Sequence, residues 1–544
     1  MTRIEEQLMR RGLLSETESA RARETAARTH RSLQEVWVAD GFVSEQDVLA
    51  VQAEQYGLPL VRLDELVLTP AAVAAVSAKL ASHYGVMPVA LEAGVLTLAV
   101  SNPLNLASVE DIEATLGYRV ERVLACRSDI LKALRQHYGV GADTVERILA
   151  TSADAIQVAP LEESHDLEKQ AEDASVVKLV NQLLQQAIAD RATDLHFEVN
   201  RAGIAARRRI DGTLYDTPVS GNMKLLYPAI VSRVKLMAGL NIVERRLPQD
   251  GRARVTVGRQ TYDLRVSIVP TLHGEDVVIR ILPSAMLFNL DTLGFSERHR
   301  AMLEEQIAAP HGIVFVTGPT GSGKSTTLYA CLSRLNSRDR KIITIEDPVE
   351  YELSGVTQTQ IAPKIGLTFA RALRSMLRHD PDIMMVGEVR DRETAEIAVQ
   401  TAMTGHLVLS TLHTNDAAAA AARLIDMGID PYLIASTVRM FIAQRLVRLV
   451  CEVCKESYET KDGRRFRGRG CRACNQSGFK GRIAIAEFLP MKEDVQSLVL
   501  RKASAPEIRR QANALGMKTL AEDGEDKAVQ GLTTPEEVMR VTCL

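Results

Sequence analysis

The sequence has few cysteines, almost no net charge and no long apolar run. Its seven cysteines in 544 residues are too few for a disulfide framework. No apolar run reaches the roughly 18 residues that a membrane-spanning helix needs. A formal net charge of −3 argues against a nucleic-acid-binding surface over the whole protein. The N-terminus, MTRIEEQLMRR, has charges where a secretory signal peptide has its apolar core, so we expect a cytoplasmic protein.

The composition is that of an ordinary globular protein, with 46% apolar and 25% charged residues. A chain of this length exceeds the size at which a single hydrophobic core stops growing, so we expect three to five folded units. Residues 1–140 are expected to form helices broken at Gly12, Gly41 and Gly57, followed by a small α/β unit. We expect a flexible linker at 141–173, because its residues 162–173 are acidic and have few apolar side chains.

The remaining boundaries follow from changes in residue pattern. We expect a second α/β domain at 174–285, a nucleotide-binding α/β domain with a largely parallel sheet at 286–445, a cysteine module at 446–482 and a mostly helical tail at 483–544. In the second domain, the alternating stretch TYDLRVSI predicts a strand that carries Arg265 on its polar face. The predicted fold class is therefore multidomain α/β.

The strongest motif is a phosphate-binding loop. Residues 313–326 read IVFVTGPTGSGKST, in which an apolar strand precedes a glycine-rich loop and a helix. Glycines let backbone N–H groups point at phosphate oxygens, and the helix adds the positive end of its dipole. We expect Lys324 to contact the β- and γ-phosphates and Ser325 to bind Mg²⁺. The predicted nucleotide-binding residues are Gly318, Pro319, Thr320, Gly321, Ser322, Gly323, Lys324, Ser325 and Thr326.

Polar residues also end three other apolar strands. Glu346 ends the strand in IITIEDPVE, Glu388 follows the strand in DIMMVGEVRD, and Thr411 and His413 end HLVLSTLHTND. Ligands of open α/β sheets bind at the carboxyl ends of the strands, so we expect these side chains near the phosphate loop. Glu388 is the candidate for the Mg²⁺-linked carboxylate. For each residue alone, the alternative is a solvated or capping role.

The second chemical motif is a set of four cysteines. Cys451-x2-Cys454-x16-Cys471-x2-Cys474 has the spacing of a zinc ribbon, in which four thiolates leave no open position and the zinc is structural. An iron–sulfur cluster and redox thiols are the alternatives. Between the pairs lies a basic run, which we interpret as a solvated loop, with contact to an acidic partner or to lipid headgroups as the alternative. Its arginines are Arg464, Arg465, Arg467, Arg469 and Arg472.

Together these motifs resemble the secretion ATPase superfamily and, more narrowly, the assembly ATPases of bacterial type II secretion and type IV pili. The resemblance rests on the phosphate loop, the acidic box ITIEDPVEY, the stretch DPDIMMVGEVRDRETAEIA and the histidine box TGHLVLSTLHTND. RRRIDGTL, ERRLPQDGR, RVSIVPTLHGEDVVIR, the cysteine pairs and the closing GLTTPEEVMRVT match the same family. The match is dense over 174–544 and loose over 1–140.

The resemblance implies a RecA-like P-loop NTPase core behind a PAS-like domain, a zinc-ribbon-like insertion and a hexameric ring with ATP between the two domains. It implies that Glu346 polarises the attacking water, that Glu388 serves the Walker B function and that His413 senses the γ-phosphate. The expected cofactors are ATP, Mg²⁺ and Zn²⁺. Homo-hexamers of this kind assemble a pseudopilus or pilus, peripheral to the inner membrane.

The resemblance also implies that the preceding domain supplies arginines to the transferring phosphoryl group. Arg265 and Arg280 are the main candidates and Arg207 and Arg209 the others, and each has a surface ion pair as its alternative. The acidic linker and residues 286–310 are expected to permit the movement that delivers these arginines. Nearby Asp194, His196 and Glu198 alternate on one strand face and are expected to form a polar interface rather than a metal site.

The expected partners are an inner-membrane platform protein and, through the N-terminal domain, a cytoplasmic domain of a membrane protein. Arg10-Arg11-Gly12 and Arg31-Ser32-Leu33 depart from the Arg-Leu-Gly-type motif by which some relatives bind a cyclic dinucleotide, which favours a protein partner. Nucleic acid is not an expected partner. The rival hypotheses are a pilus retraction motor, a DNA-translocating motor and an adaptor that binds nucleotide without turnover.

Overall fold

The computed structural model describes residues 3–29, 32–104, 106–145, 173–220, 222–284, 288–461 and 463–542. Most of the expected linker at 141–173 lies outside these residues, as does Arg31. The chain divides into two compact units, Met1–Leu282 and Pro283–Leu544. Within the described ranges, no helix has both the length and the apolar character to cross a membrane. The fold confirms the prediction of a multidomain α/β protein.

The first unit begins with a cluster of four helices. The predicted breaks at Gly12, Gly41 and Gly57 each have a positive φ angle, which glycine adopts without steric cost. Leu8 and Trp37 are buried at the centre of this cluster. The helices are α1 (Arg3–Arg10), α2 (Glu16–Thr29), α3 (Leu33–Ala39) and α4 (Glu45–Tyr56).

A small α/β unit follows, as the sequence predicts. Its second strand pairs antiparallel with the first and parallel with the third. Its elements are α5 (Pro70–Ala75), α6 (Ala78–Tyr84), β1 (Met87–Glu92), β2 (Val95–Val100), α7 (Leu106–Leu116), β3 (Arg119–Leu124) and α8 (Arg127–Tyr138).

From residue 173 onward, the described part of the first unit contains a six-stranded sheet and two helices. Its strands have the order β6-β5-β4-β9-β8-β7, and TYDLRVSI lies in β8 with Leu264, Val266 and Ile268 buried, as predicted. Val140 and Val145 are buried in the same core, so the chain is still packed at the start of the expected linker. The elements are α9 (Ala174–Ala189), β4 (Ala192–Val199), β5 (Ile204–Ile210), β6 (Thr213–Thr217), α10 (Met223–Met237), β7 (Gln249–Val257), β8 (Gln260–Thr271) and β9 (Gly274–Pro283).

The second unit is built on a seven-stranded sheet of order β12-β11-β13-β14-β10-β15-β18. The neighbouring strands are parallel except for β18, which is antiparallel to β15. The central strands are covered on both faces, which explains their continuous apolar runs. The elements up to β15 are α11 (Glu297–Ile307), β10 (Gly312–Thr317), α12 (Lys324–Leu335), β11 (Ile342–Glu346), β12 (Val356–Gln360), α13 (Phe369–Met376), β13 (Ile383–Val386), α14 (Arg392–Met403), β14 (Leu407–Leu412), α15 (Ala417–Asp426), α16 (Pro431–Thr437) and β15 (Val438–Val450).

The cysteine module and the tail complete this unit. The module projects between β15 and β18 of the main sheet, and four helices follow β18 within the described residues. The start of the expected helical tail, 483–490, belongs to β18. The remaining elements are β16 (Lys455–Thr460), β17 (Gly463–Gly468), β18 (Phe479–Pro490), α17 (Glu493–Leu500), α18 (Ala505–Ala514), α19 (Leu520–Val529) and α20 (Pro535–Thr542).

Two details of the second unit differ from the sequence interpretation. The basic run is a strand hairpin rather than a loop, because β16 and β17 pair antiparallel. Arg465 forms an ion pair with Glu525 of α19, whereas the other four arginines are exposed as expected. Residues 288–307 are not a free connector, because Leu290, Leu303 and Ile307 are buried in the core of the unit. Burial of these apolar side chains stabilises the packed position of the segment.

Candidate nucleotide site

The phosphate loop connects β10 to α12 and fits closely against β15. Gly318 and Gly323 have φ angles of +152° and +87°. A Cβ atom at Gly318 would lie 2.6 Å from the backbone oxygen of Gln444, and one at Gly323 would lie 2.7 Å from its Nε2. The Gln444 side chain donates to Ser322 O at 3.0 Å and accepts from Thr327 Oγ1 at 2.8 Å. Gln444 therefore holds the loop, and both positions require glycine.

Lys324 is the first residue of α12, and its side chain lies along the loop. Its Nζ donates to Gly318 O at 2.8 Å and to Pro319 O at 3.0 Å. Burial lowers the pKa of Lys324 to about 8, against the opposing effect of the Glu388 carboxylate and with a further lowering by the Arg445 guanidinium. Ser322 is buried as well, whereas Pro319, Thr320, Gly321 and Ser325 are exposed and Thr326 is half-buried.

Glu346 ends β11 as predicted, and its carboxylate is 4% exposed. Its Oε1 accepts hydrogen bonds from Thr344 Oγ1 at 2.5 Å and from Gln358 Nε2 at 3.1 Å. Its Oε2 accepts a hydrogen bond from the hydroxyl of Tyr329 on α12. Three neutral donors from three elements therefore fix this carboxylate.

Glu388 and His413 lie side by side. Glu388 Oε2 is 3.3 Å from His413 Nε2, and its Oε1 is 2.8 Å from Arg390 Nε. The Glu388 side chain is 13% exposed, whereas that of His413 is 43% exposed. Because Glu388 also acts electrostatically on Lys324, the predicted carboxylate, histidine and lysine belong to one charged cluster. Their roles toward a nucleotide stay predictions.

Backbone and hydroxyl contacts tie the strand ends together. Gly387 N donates to Ile345 O at 2.8 Å, and Thr411 Oγ1 donates to Gly387 O at 2.7 Å. On the phosphate-loop side, Thr317 Oγ1 lies 2.8 Å from Thr414 Oγ1. The carboxyl ends of β10, β11, β13 and β14 therefore form one edge, where the sequence predicted the ligands to meet.

A second cation, which was not expected from the sequence, lies beside the loop. Arg445 follows Gln444 on β15 and is 5% exposed. Its Nη2 donates to Asn415 O at 3.0 Å, which connects β15 to the histidine box. Burial lowers its pKa, against the opposing effects of Asp416 and Glu487. Four residues of the site were not predicted because they contact elements that are distant in sequence: Tyr329, Gln358, Gln444 and Arg445. Of these, only Tyr329 lies in a recognised motif, GKSTTLYA.

The candidate arginine donors lie in the first unit and most have local partners there. Arg280 Nε donates to Asp194 Oδ1 at 2.9 Å. Arg207 forms an ion pair with Glu198, and Arg209 Nη1 donates to Gly212 O. These contacts match the alternative of surface ion pairs.

Arg265 lies opposite Arg252 in the β7–β8 pairing. None of the contacts in the described residues shows whether these arginines reach a bound nucleotide, so that role stays a prediction. The alternating Asp194, His196 and Glu198 interleave with arginines on β5 and β9, as expected of a polar surface.

The four predicted cysteines form a compact cluster. Their Sγ atoms lie within 4.8 Å of one another, with distances of 3.8 Å for Cys451–Cys471 and Cys454–Cys474 and 3.7 Å for Cys471–Cys474. A tetrahedron with Zn–S bonds of about 2.3 Å has edges of about 3.8 Å. Gly478 N also donates to Cys474 Sγ at 3.3 Å. Within the described part of the chain, this is the only group of three or more His, Cys, Asp or Glu side chains with such geometry.

Comparison with known proteins agrees with this architecture. Residues 169–540 match the family described as type II/IV secretion system protein, and residues 56–144 match the MshEN domain. The chain is 41% identical to the type IV pilus assembly ATPase PilB of Myxococcus xanthus, over 99% of this chain and 98% of that protein. It is 43% identical to the type II secretion system protein E of Xanthomonas campestris, again over 99% and 98%.

Among solved structures, the ATPase DotB of Legionella pneumophila resembles this chain with a TM-score of 0.51 and 24% identity, over 67% of this chain and 95% of its own. This likeness confirms the P-loop ATPase fold of the core. The extent of the family match and the two full-length relatives together identify the chain. It belongs to the type II/IV secretion system protein family.

Proposed function

We propose that this protein is an ATP-hydrolysing motor that drives assembly of a pseudopilus or pilus. The observation that carries the proposal is the meeting of the phosphate loop with Glu346, Glu388 and His413 at one sheet edge. A loop that only binds nucleotide needs no buried carboxylate and no carboxylate–histidine pair. Their presence beside Lys324 favours hydrolysis over an adaptor without turnover.

Binding is the role of the loop and the first turn of α12. The Lys324 ammonium group exchanges its two loop carbonyl acceptors for β- and γ-phosphate oxygens, which are charged and therefore form stronger hydrogen bonds. Ser325 is exposed at the start of the same helix and supplies a hydroxyl ligand for Mg²⁺. Ser325 and Glu388 would hold Mg²⁺, and the ion would supply positive charge to the phosphates.

Chemistry is the role of Glu346. Its carboxylate takes a proton from water as the water oxygen bonds to the γ-phosphorus, while the bond between that phosphorus and the bridging oxygen of ADP breaks. His413 donates to the γ-phosphate from its place beside Glu388. Arg265 and Arg280 neutralise the charge that builds on the phosphoryl oxygens, a role worth on the order of 10³–10⁵ in rate where it has been measured.

The cysteine module holds a structural Zn²⁺. Four buried or half-buried thiols at tetrahedral spacing fit a closed site, and a closed site leaves no position for catalysis. The module stands between β15, which holds the phosphate loop, and β18. Its zinc therefore stabilises the ends of two strands of the main sheet.

The working form is a hexamer at the cytoplasmic face of the inner membrane. The two full-length relatives are named for pilus assembly and type II secretion, which favours an assembly motor over a retraction motor or a DNA-translocating motor. The N-terminal domain binds a cytoplasmic domain of a membrane partner, and the ring docks on a platform protein. ATP hydrolysis then moves the domains and transmits force to the platform.

Phosphate release by the full chain tests this proposal, with and without a detergent-solubilised platform protein. We expect Mg²⁺-dependent turnover that rises when the platform is present. Lys324→Ala serves as the matched control, because it removes the cation that binds the phosphates. ATP binding without phosphate release under both conditions would leave the adaptor hypothesis in its place.

A further inference from the structure

Tyr329 occupies an unusual position beside the candidate base. Its ring is 1% exposed and packs with Phe288 and Tyr351, whose ring centroids lie 5.1 Å and 5.9 Å away. Its hydroxyl accepts N–H groups from Glu350 at 3.3 Å and from Tyr351 at 3.4 Å. A phenol oxygen has two acceptor sites and one proton. The Gln358 Nε2 group also points at this oxygen, from 3.5 Å. Because these N–H groups occupy the acceptor side of the oxygen, the phenol proton is directed to the Glu346 carboxylate.

The donors around Glu346 leave one part of the carboxylate open. A carboxylate has about four lone-pair sites, two on each oxygen. Thr344 and Gln358 both donate to Oε1, whereas only Tyr329 donates to Oε2. The second site of Oε2 is therefore the one left to accept a proton.

We infer that Tyr329 is a positioning residue for catalysis, which holds Glu346 so that the open site of Oε2 faces the attacking water. The inference rests on the proposed role of Glu346 as the base. Tyr329 touches neither water nor nucleotide in this mechanism and acts only through Glu346.

The groups around Glu346 allow this effect to be isolated. Of its three hydrogen-bond donors, only Tyr329 is titratable, and burial followed by the Glu346 charge raises the pKa of Tyr329, so the phenol stays protonated throughout the working range. Arg371 and Arg374 of α13 are engaged elsewhere, with Gly366 O and with Glu393. The other charged groups on the neighbouring elements are Lys324 and Arg334 of α12, Asp347 and Glu350 after β11, and Glu388 after β13.

The test is the pH profile of the Tyr329→Phe variant of the full chain. This change keeps the ring packing and removes only the hydroxyl. Phosphate release is measured from about pH 5 to about pH 9 as kcat and KM for ATP. We expect kcat to fall about tenfold or more, KM to change less than about twofold, and the acid limb of kcat to move to higher pH, because a hydrogen bond to the charged carboxylate is lost.

Two further variants distinguish positioning from packing. Thr344→Val removes another donor to Glu346 without changing the shape of the side chain, and it is expected to move the acid limb in the same direction. Tyr138→Phe removes a buried hydroxyl that donates to Val73 O and Val76 O, so it lowers stability but leaves the pH profile unchanged. An acid limb that stays at the parental pH in Tyr329→Phe overturns the inference. If that variant does not fold, an unchanged limb in Thr344→Val overturns it.

Glu346→Gln separates this inference from the proposed function. Parental turnover in Glu346→Gln means that Glu346 is not the base, and the proposed function fails at that point. Lost turnover in Glu346→Gln with a parental profile in both Tyr329→Phe and Thr344→Val means that the base is right and the positioning inference is wrong.

Discussion

Nucleotide affinity should depend on pH through Lys324. In the free protein, burial lowers the pKa of this lysine from 10.5 to about 8. Phosphate oxygens favour the charged form, so binding restores a pKa near or above the ordinary value. Above about pH 8, binding must therefore be accompanied by uptake of one proton at Lys324. ADP is a suitable probe because its phosphates are ionised well below that pH, with a last pKa of about 6.

The size of the effect follows from the two pKa values. Their difference corresponds to about 3 kcal/mol of linkage between protonation and binding. The Kd for ADP should be constant below about pH 8 and then rise by nearly tenfold per pH unit. The stability of the unliganded protein depends on pH in the opposite direction to the affinity for ADP. The unfolded chain binds more protons than the folded one between about pH 8 and pH 10.5, so the Lys324 contribution to stability increases with pH in that window.

Isothermal titration calorimetry in two buffers of different ionisation enthalpy measures the proton uptake directly. At about pH 9 we expect uptake of nearly one proton per ADP bound. Lys324→Arg is the matched control, because an arginine keeps its charge at this pH and takes up no proton. Zero uptake by the parent protein, or a Kd that stays constant to about pH 10, would refute the reasoning.

Three further predictions follow from the site and the cysteine module. Glu388→Gln keeps the shape of the side chain but removes its charge, so the variant should bind ATP with a kcat lowered by about 10²-fold or more. Phosphate release at near the parental rate would show that Glu388 has no role in the site. Purified protein should contain about one zinc per chain. Cys454→Ser should lower the zinc content and loosen residues 446–482, while nucleotide binding persists. A metal analysis that finds no zinc, or finds iron, contradicts this prediction. Arg265→Ala and Arg280→Ala should each lower turnover about 10³-fold, with a much smaller loss of ATP binding. Thermal unfolding of the same variants tests the alternative of a surface role, in which stability falls but turnover per folded molecule persists.

The arrangement of the candidate nucleotide site was predictable from sequence to the extent that its residues are close together in the chain. The phosphate loop carries strand, glycines, lysine and helix within fourteen consecutive residues, 313–326, so one stretch is enough to place it. Glu346, Glu388 and His413 each come directly after an apolar run, and parallel strands bring such ends to one edge. The partners of these residues were not predictable. Gln358 reaches Glu346 from the next strand, and no periodicity indicates such a side-chain contact.

The basic hairpin shows why charge misleads a sequence analysis. Arg464 and Arg467 are exposed, as their charge suggests. Arg465, however, pairs with Glu525, and Phe466 packs against Gly531, and both partners follow tens of residues later in the chain. Strand β18 is a similar case, because its stability depends on antiparallel pairing with β15 rather than on its own pattern. Tertiary contacts, which the sequence does not display, decide both segments.

The most direct test of the central claim is the identity of the nucleotide held by the protein. The full chain is incubated with ATP and Mg²⁺, separated from free nucleotide and denatured, and the released nucleotide is analysed. If the chain hydrolyses ATP at this loop with Glu346 as base, the parent yields ADP, Glu346→Gln yields ATP, and Lys324→Ala yields little of either. ATP recovered unchanged from the parent, or ADP formed at the parental rate by Glu346→Gln, would contradict the account.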